Sequence, residues 1–383
     1  MEKYHRYIIG LFSFILLILF VIYFGYIIVW ILLAALIAMI GGPIVILLTK
    51  LRYKNFKIPN WVSALVGITA IWLVIFLFFR ITVPLISNQI VEFQSIDVDV
   101  ISKGLETPIN NVDKFIQNTQ IINEPEFSIE NLVIDKISSV LNLSNVRDIF
   151  SDLSSLLWNL VLSIFAVTFI SFFFLKDRGL FDMGVLAMVP DKYEEKTKSV
   201  LVSVRNLISR YLIGIILQSL CMMVLYITGL YIVGVNFNLA VLIGIIAGLL
   251  NVIPYIGPWI GAVIAFVLIT VGNIQYDFYD ITIPLLIKMI VVVASAQIID
   301  NIVFQPIIFG KSVKAHPIEI FLIILIAGSL YGILGMMLAI PTYTVIRVIA
   351  KEFFYQYKFV QKITQNILTA EDKKHKSKGN ANI

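Results

Sequence analysis

A run without any charged residue extends from Tyr7 to Leu48, and it constrains the fold more than any other feature of the sequence. A helix needs about 20 apolar residues to cross the hydrocarbon core of a bilayer, so this run is long enough for two crossings. Gly25 lies near its middle and is a helix breaker. The sequence therefore predicts two membrane spans joined by a turn at Gly25. No small-residue cleavage site follows the first span, so we expect it to be retained and not removed as a signal peptide.

The composition places the rest of the chain in the membrane as well. Charged residues make up only 14% of the 383 residues and hydrophobic residues 59%, whereas soluble domains carry roughly 25% charged residues. The net charge of +5 does not indicate a nucleic-acid partner, because the basic residues form short clusters beside the apolar runs. The sequence contains no Walker A motif, no HExxH motif and no Cys–His cluster. We therefore predict neither an enzyme nor a bound cofactor or metal.

The basic clusters also predict the orientation, because short cytoplasmic loops carry an excess of Lys and Arg. The start of the chain, residues 50–57 and the tail after residue 350 are basic, so both termini are expected in the cytoplasm. Residues 87–153 are rich in acidic residues and are expected outside, either as amphipathic helices packed on one another or on a partner, or as a solvated cap. Further full spans are predicted at residues 61–86, 155–175, 211–233 and 283–309.

Two other apolar runs are too long for one ordinary helix and contain helix breakers midway. Residues 239–272 are interrupted by Pro254, Tyr255, Gly257 and Pro258, and residues 317–346 by Gly328, Gly332 and Gly335. Irregular backbone at membrane depth survives only where it is buried in protein or lines a cavity, and oppositely oriented broken helices occur in transporters. We predict two re-entrant hairpins that enter from opposite faces, with their tips meeting around Asp300 and Asn301. The alternative is a pair of short spans, or one tilted helix, in each run.

Polar side chains inside spans are expensive and so are candidates for function. The predicted span 283–309 carries the densest group, Gln297, Asp300, Asn301 and Gln305. Helical spacing places Gln297, Asp300 and Asn301 on one face. Asp300 is expected to bind a cation or proton or to orient a polar substrate, unless it only pairs with Lys311 or Arg210.

Two further polar residues belong to the predicted pathway. Asn251 precedes the first interruption and is expected to satisfy backbone groups that the break frees. Gln218 lies on the predicted span 211–233 and either faces the pathway or joins two helices. His316 precedes Pro317 and is interpreted as a helix entry residue, since it has no companion metal ligands at suitable spacing.

Four motifs, taken together and in order, resemble the autoinducer-2 exporter (AI-2E) family, also called the PerM permeases. They are Phe174-Leu175-Lys176-Asp177, the segment from Asn251 to Pro258, the segment from Gln297 to Asn301, and Pro306 to Lys311 followed by His316-Pro317. The resemblance covers nearly the whole chain. It implies a multi-pass transporter of the cytoplasmic (inner) membrane that forms a homo-oligomer. It also implies either export of the quorum-sensing signal autoinducer-2 or exchange of sodium or lithium for protons.

The leading hypothesis is export of a small polar signalling molecule or metabolite, for which Asn251, Gln297, Asn301 and Gln305 would supply hydrogen bonds. Antiport of sodium or lithium against protons is the alternative, in which Asp300 changes its protonation, and a membrane scaffold in envelope assembly is the third. The expected partners are membrane lipid, a small-molecule or cation substrate and further copies of the chain. The expected fold is all-α, with about six full transmembrane helices, two broken hairpins and a small helical extracytoplasmic segment. The predicted division is residues 1–86 (first three helices), 87–153 (outer segment), 154–350 (transport core) and 351–383 (tail).

Overall fold

The computed structural model describes residues 2–50, 52–53, 56–94, 161–309 and 316–364. Within these ranges the regular secondary structure is helical apart from one antiparallel pair of two-residue strands, β1 (Arg52–Tyr53) and β2 (Phe56–Lys57), and turns connect the helices. Most of the predicted outer segment lies outside the described residues, as does the final part of the tail. The helices are α1 (Glu2–Lys50), α2 (Asn60–Gln94), α3 (Val161–Lys176), α4 (Leu180–Leu186), α5 (Glu194–Ile232), α6 (Phe237–Leu250), α7 (Ile256–Gly272), α8 (Ile283–Ile299), α9 (Gln305–Phe309), α10 (Pro317–Phe354) and α11 (Lys358–Thr364).

The described helices include five segments that are long and apolar enough to cross a membrane. Three shorter apolar helices, α3, α6 and α7, accompany them. The predicted fold class, an all-α polytopic membrane protein, is confirmed. The five segments are Tyr23–Lys50, Asn60–Gln89, Asp191–Ile232, Phe278–Ile307 and Ile318–Phe354.

The predicted turn at Gly25 is wrong. Gly25 lies inside α1, a continuous helix of 49 residues, and outside the helix's own backbone no atom of the described residues lies within 4 Å of the place where its Cβ would be. One glycine inside a helix costs only about 1 kcal/mol. In an apolar environment, a turn would instead leave several backbone groups without hydrogen bonds, at several kcal/mol each. The helix therefore continues through Gly25.

The described residues form two compact units, of which the first comprises Met1–Ile75 and Asp152–Arg205. In this unit α1, α2 and α3 pack through small residues and a few polar contacts, as membrane helices commonly do. A Cβ on Gly41 would lie only 3.2 Å from Ile71 of α2. Trp72 donates a hydrogen bond from Nε1 to Thr168 Oγ1 of α3 at 3.1 Å. The buried core of the unit is Val45, Ala64, Ile68 and Leu175.

The second unit comprises the described residues within Phe76–Ser151 and Asn206–Ile383, and it contains both predicted interruptions. In the first, α6 ends at Leu250 and α7 begins at Ile256. Gly257 faces Leu250 so closely that a Cβ would overlap the Leu250 carbonyl group, and Gly261 faces Ala247. Gly257 and Leu250 are close to the turn, and Gly261 and Ala247 lie further from it on the same two helices. Because the contacts continue in this order away from the turn, α6 and α7 form an antiparallel helical hairpin.

The second interruption lies inside α10, where Tyr331 and Gly332 have non-helical backbone angles. Tyr343 Oη donates to Glu319 Oε2 at 2.9 Å. In a straight helix these residues would be about 36 Å apart. The arms 317–330 and 333–354 therefore fold back on each other as a second hairpin.

Gly332 has φ +59° and ψ −143°, a conformation that is nearly exclusive to glycine. We expect Gly332→Ala to destabilise the protein by roughly 1–3 kcal/mol through backbone strain alone, because the space around its Cβ position is empty. Gly25→Ala is the matched control, since that site is also open but helical, and it should be neutral or stabilising. Thermal unfolding in detergent checks both variants. Equal melting temperatures for Gly332→Ala and Gly25→Ala would contradict the assigned turn.

The largest core of the second unit joins α5, α6, α7 and α8. This core comprises Leu230, Val235, Leu239, Ala240, Ile243, Ala265, Ile269, Val271, Leu285, Leu286 and Met289.

The second hairpin packs on the first through Ile324 and Ile253, and the Phe321 ring contacts the Tyr255 ring at a centroid distance of 6.4 Å.

Candidate functional site

The apolar segment Phe278–Ile307 is not a regular α-helix. Two π-helical turns, Phe278–Thr282 and Asp300–Phe304, lie at the two ends of α8. Such turns are rare and often lie at functional sites. The second coincides with the predicted polar group, and it brings Asp300 and Gln305, five residues apart, onto the same side of the helix.

Asp300 is only 1% exposed, and amide groups satisfy both of its carboxylate oxygens. Oδ1 accepts from Gln218 Nε2 of α5 at 2.6 Å, and Oδ2 accepts from Gln305 Nε2 at 2.9 Å. Among the described residues no cation pairs with it: Arg210 is exposed, and Lys311 lies outside the described ranges. Asp300 is therefore held by hydrogen bonds from two neutral side chains.

The predicted common face of Gln297, Asp300 and Asn301 is wrong for Asp300. Asn301 Oδ1 accepts from Gln297 Nε2 at 3.3 Å and from Gln305 Nε2 at 2.8 Å, and these three amides line one cavity. Asp300 instead points towards α5. The π-helical turn changes the spacing, so that Gln305 reaches both Asp300 and Asn301.

The cavity beside these amides has a volume of about 690 Å³, within the usual range for small-molecule sites. Its α8 wall is apolar before the amides begin. Its α7 wall carries an aromatic stripe at helical spacing. The lining residues of α7 and the preceding turn are Tyr255, Pro258, Trp259, Ala262, Val263 and Phe266, and those of α8 before the amides are Met289, Ile290, Val293 and Ala294.

The two walls run in opposite directions. Ala265 and Ile269 of α7 share a core cluster with Leu285 and Met289 of α8. The end of α7 lies beside the start of α8, so Tyr255, at the start of α7, lies beside the amide-bearing end of α8. The cavity consequently has a polar end at the turn of the first hairpin and an apolar end towards Phe266.

The remaining predicted residues have several different positions. Asn251 is buried, but its Nδ2 has no hydrogen-bond partner in the described part, so the expected pairing with freed backbone groups is not seen. Pro254 lies in the first turn, and Gly257 closes α7 on α6. Gly328 faces Met336, and Gly335 faces Ala327, where they allow the arms of the second hairpin to approach.

The expected meeting of both hairpin tips around Asp300 and Asn301 stays a prediction. Tyr255, with φ +66°, and Pro258 share the cavity with Asn301. None of the described lining residues comes from the tip of the second hairpin. The second hairpin contacts the first along its arm, at Phe321 and Ile324.

His316 is confirmed as a helix entry residue. Its Nδ1 accepts from the backbone N–H of Ile318 at the start of α10.

Sequence reasoning missed Trp259 and Phe266, which form most of the aromatic wall. The signal was present, because Tyr255, Trp259 and Phe266 are separated by four and seven residues and so share one helix face. It was easily overlooked because aromatic residues are also common on helix faces that meet lipid or core.

A family model for AI-2E family transporters matches residues 11–354, which include both hairpins, the π-helical turn and the cavity. The chain belongs to the AI-2E transporter family. "Putative transport protein YueF" of Bacillus subtilis is 29% identical over 90% of this chain and 87% of its own length. "Putative transport protein YrrI" of the same organism is 30% identical over 49% of this chain and 50% of its own.

A third similar protein, "Putative transport protein MJ1177" of Methanocaldococcus jannaschii, is 26% identical over 46% of this chain and 50% of its own length. The family resemblance drawn from the four motifs is thereby confirmed. As an AI-2E family member the chain is a multi-pass membrane transporter.

Proposed function

We propose that this AI-2E transporter exports a small, uncharged signalling molecule or metabolite across the cytoplasmic membrane. The main supporting observation is the cavity between α7 and α8, where three amides form one polar end. Amides bind neutral polar groups without the cost of burying an ion. Autoinducer-2 is the first molecule to test, because the family is named for it.

The proposed cycle uses the two hairpins as gates that enter from opposite faces of the membrane. Irregular backbone at membrane depth must be buried or line a cavity, and the turn of the first hairpin contributes Tyr255 and Pro258 to the cavity. The second hairpin packs on the first at Ile324 and Ile253. Movement of one hairpin therefore changes the contacts of the other, as alternating access requires.

Antiport of sodium or lithium against protons has less support. The described lining residues of the cavity include no acidic side chain, and Asp300 lies behind the amides with both oxygens occupied. A cation would have to displace Gln218 or Gln305 before it could bind Asp300. Export of a neutral molecule requires no such rearrangement.

Filling the cavity tests the proposed pathway. Ala294 lines the cavity, whereas Val291 is exposed on the same helix and is not part of the lining. We expect Ala294→Trp to lower autoinducer-2 flux in proteoliposomes at least about tenfold, since the new ring occupies the substrate's volume. Val291→Trp adds the same ring outside the cavity and should transport normally.

The same proteoliposomes separate the alternatives. Sodium-dependent proton movement that persists while autoinducer-2 flux is absent would establish antiport. If Ala294→Trp transports autoinducer-2 at the wild-type rate, the cavity is not the transport path. If the wild-type protein shows neither autoinducer-2 flux nor sodium-dependent proton movement, the result would favour the scaffold hypothesis.

A further inference from the structure

The hydrogen-bond network behind the cavity fixes which polar atoms can face a ligand. A carboxylate accepts hydrogen bonds and cannot donate them, so Gln218 and Gln305 must both turn their Nε2 groups towards Asp300. The orientation of each amide is thereby set by the acid. An amide side chain alone could present either its oxygen or its nitrogen.

The fixed orientation of the Gln305 amide also fixes the orientation of the Asn301 amide. Gln305 Nε2 also donates to Asn301 Oδ1, and Gln297 Nε2 is a second donor to that oxygen. Both lone pairs of Asn301 Oδ1 are therefore used. Asn301 is exposed to the cavity, and its Nδ2 makes no hydrogen bond within the described part of the chain. The group that Asn301 leaves for a ligand is an N–H donor, whereas Gln297 Oε1 is a buried acceptor without a partner in the described part of the chain.

The opposite wall supplies donors at the same level. The side chains of Tyr255 and Trp259 line the cavity, and neither makes a hydrogen bond among the described residues. An indole N–H can only donate. Together with Asn301 Nδ2, these side chains can donate to an acceptor oxygen of a ligand, and Gln297 Oε1 can accept from a ligand hydroxyl.

The remainder of the cavity is apolar and elongated. The α7 wall extends over eleven residues from Tyr255 to Phe266, which corresponds to a length of about 16 Å along the helix. Val263 and Phe266 face Ile290 at the far end, and none of the lining residues in the described part of the chain is charged. A compact diol such as autoinducer-2 would occupy the polar end, and a longer molecule would also cover this apolar surface.

We propose that the substrate is an elongated, uncharged amphipathic molecule. Its carbonyl or ether oxygen accepts from Asn301 Nδ2, and its apolar body lies along Trp259 and Phe266. Asp300 is a positioning residue that acts through Gln305 and does not touch the ligand. This inference rests on the proposed function, which requires only that the cavity be the path.

The test uses purified protein in lipid nanodiscs and two brominated probes of equal chain length. One is a medium-chain alkyl methyl ketone and the other is the alkane without the carbonyl group. Bromine quenches tryptophan on contact, and subtracting the signal of Trp259→Phe isolates quenching at Trp259. We expect the ketone to bind about tenfold more tightly than the alkane, the effect of one well-formed hydrogen bond.

Two variants distinguish positioning from general structure. Asn301→Leu removes the donor, and Asp300→Asn removes the group that fixes the amides. Each should abolish the preference for the ketone while alkane binding stays within about twofold, because the apolar wall is intact. Asn238→Leu, at an exposed asparagine of α6, is the matched control and should keep the preference.

Equal binding of ketone and alkane by the wild type would overturn the inference. The inference would also be overturned if Asp300→Asn kept the preference for the ketone. A third contrary result is quenching of Trp259 by brominated lipid chains that neither probe displaces. If ketone and alkane bind equally but Ala294→Trp still blocks flux, only the substrate class is wrong. If Ala294→Trp transports normally, the proposed function itself fails.

Discussion

Gly257→Ala is expected to destabilise the first hairpin more than any other single-methyl addition considered in this protein. Gly257 lies so close to Leu250 that the new Cβ would overlap a backbone carbonyl group, which cannot move aside as a flexible side chain could. Overpacking at a well-packed site costs roughly 1–3 kcal/mol, and a backbone obstacle belongs at the upper end. Transport should be lost as well, because Tyr255 and Pro258, which line the cavity, flank the site.

The measurement is thermal unfolding in detergent together with flux in proteoliposomes. Gly184→Ala is the control, because no atom lies within 4 Å of its Cβ position and it is also in a helix. A Gly257→Ala protein with unchanged melting temperature and normal flux would show that α6 and α7 do not approach as described.

Asp300→Leu is expected to have the second-largest effect. It leaves the buried Nε2 of Gln218 without an acceptor, which costs about 1–3 kcal/mol, whereas Gln305 keeps Asn301 as a partner. Transport should fall strongly because Gln305 and Asn301 lose their fixed orientation. The exposed Asp280 provides a matched control, and Asp280→Leu should leave both properties near those of the wild type.

A double variant separates stability from function at this site. Replacing both partners of a buried hydrogen bond by apolar groups can be nearly neutral, so Asp300→Leu with Gln218→Leu should recover most of the lost stability. Transport should not recover, since the acid is still missing. If flux returns together with stability, Asp300 acts only in folding, and if the single variant melts like the wild type, the Gln218 contact is wrong.

The features that the sequence predicted best are those with a local physical cause. Pro254 and Gly257 interrupt the first long apolar run, and Gly332 interrupts the second, because these residues change the backbone directly. The cost of polar groups in an apolar span likewise identified Gln297, Asn301 and Gln305 as neighbours. These inferences needed no knowledge of distant contacts.

The features that the sequence did not reveal depend on context. Glycine permits a turn without requiring one, so Gly25 stayed helical. The separation of Asp300 from Asn301 depends on a π-helical turn, which standard helical spacing does not anticipate. The pairing of Asp300 with Gln218 joins residues 82 positions apart, and only tertiary packing brings them together.

The π-helical turn at Asp300–Phe304 also affects how relatives of this transporter should be compared. Because the turn holds one residue more than an ordinary helical turn, it changes the helix face on which all the following side chains of the span lie. A relative that lacks one residue here would keep its full complement of polar side chains, yet its counterpart of Gln305 would point about 100° away from both neighbours. The number of residues in this stretch therefore carries as much information about the site as their identities.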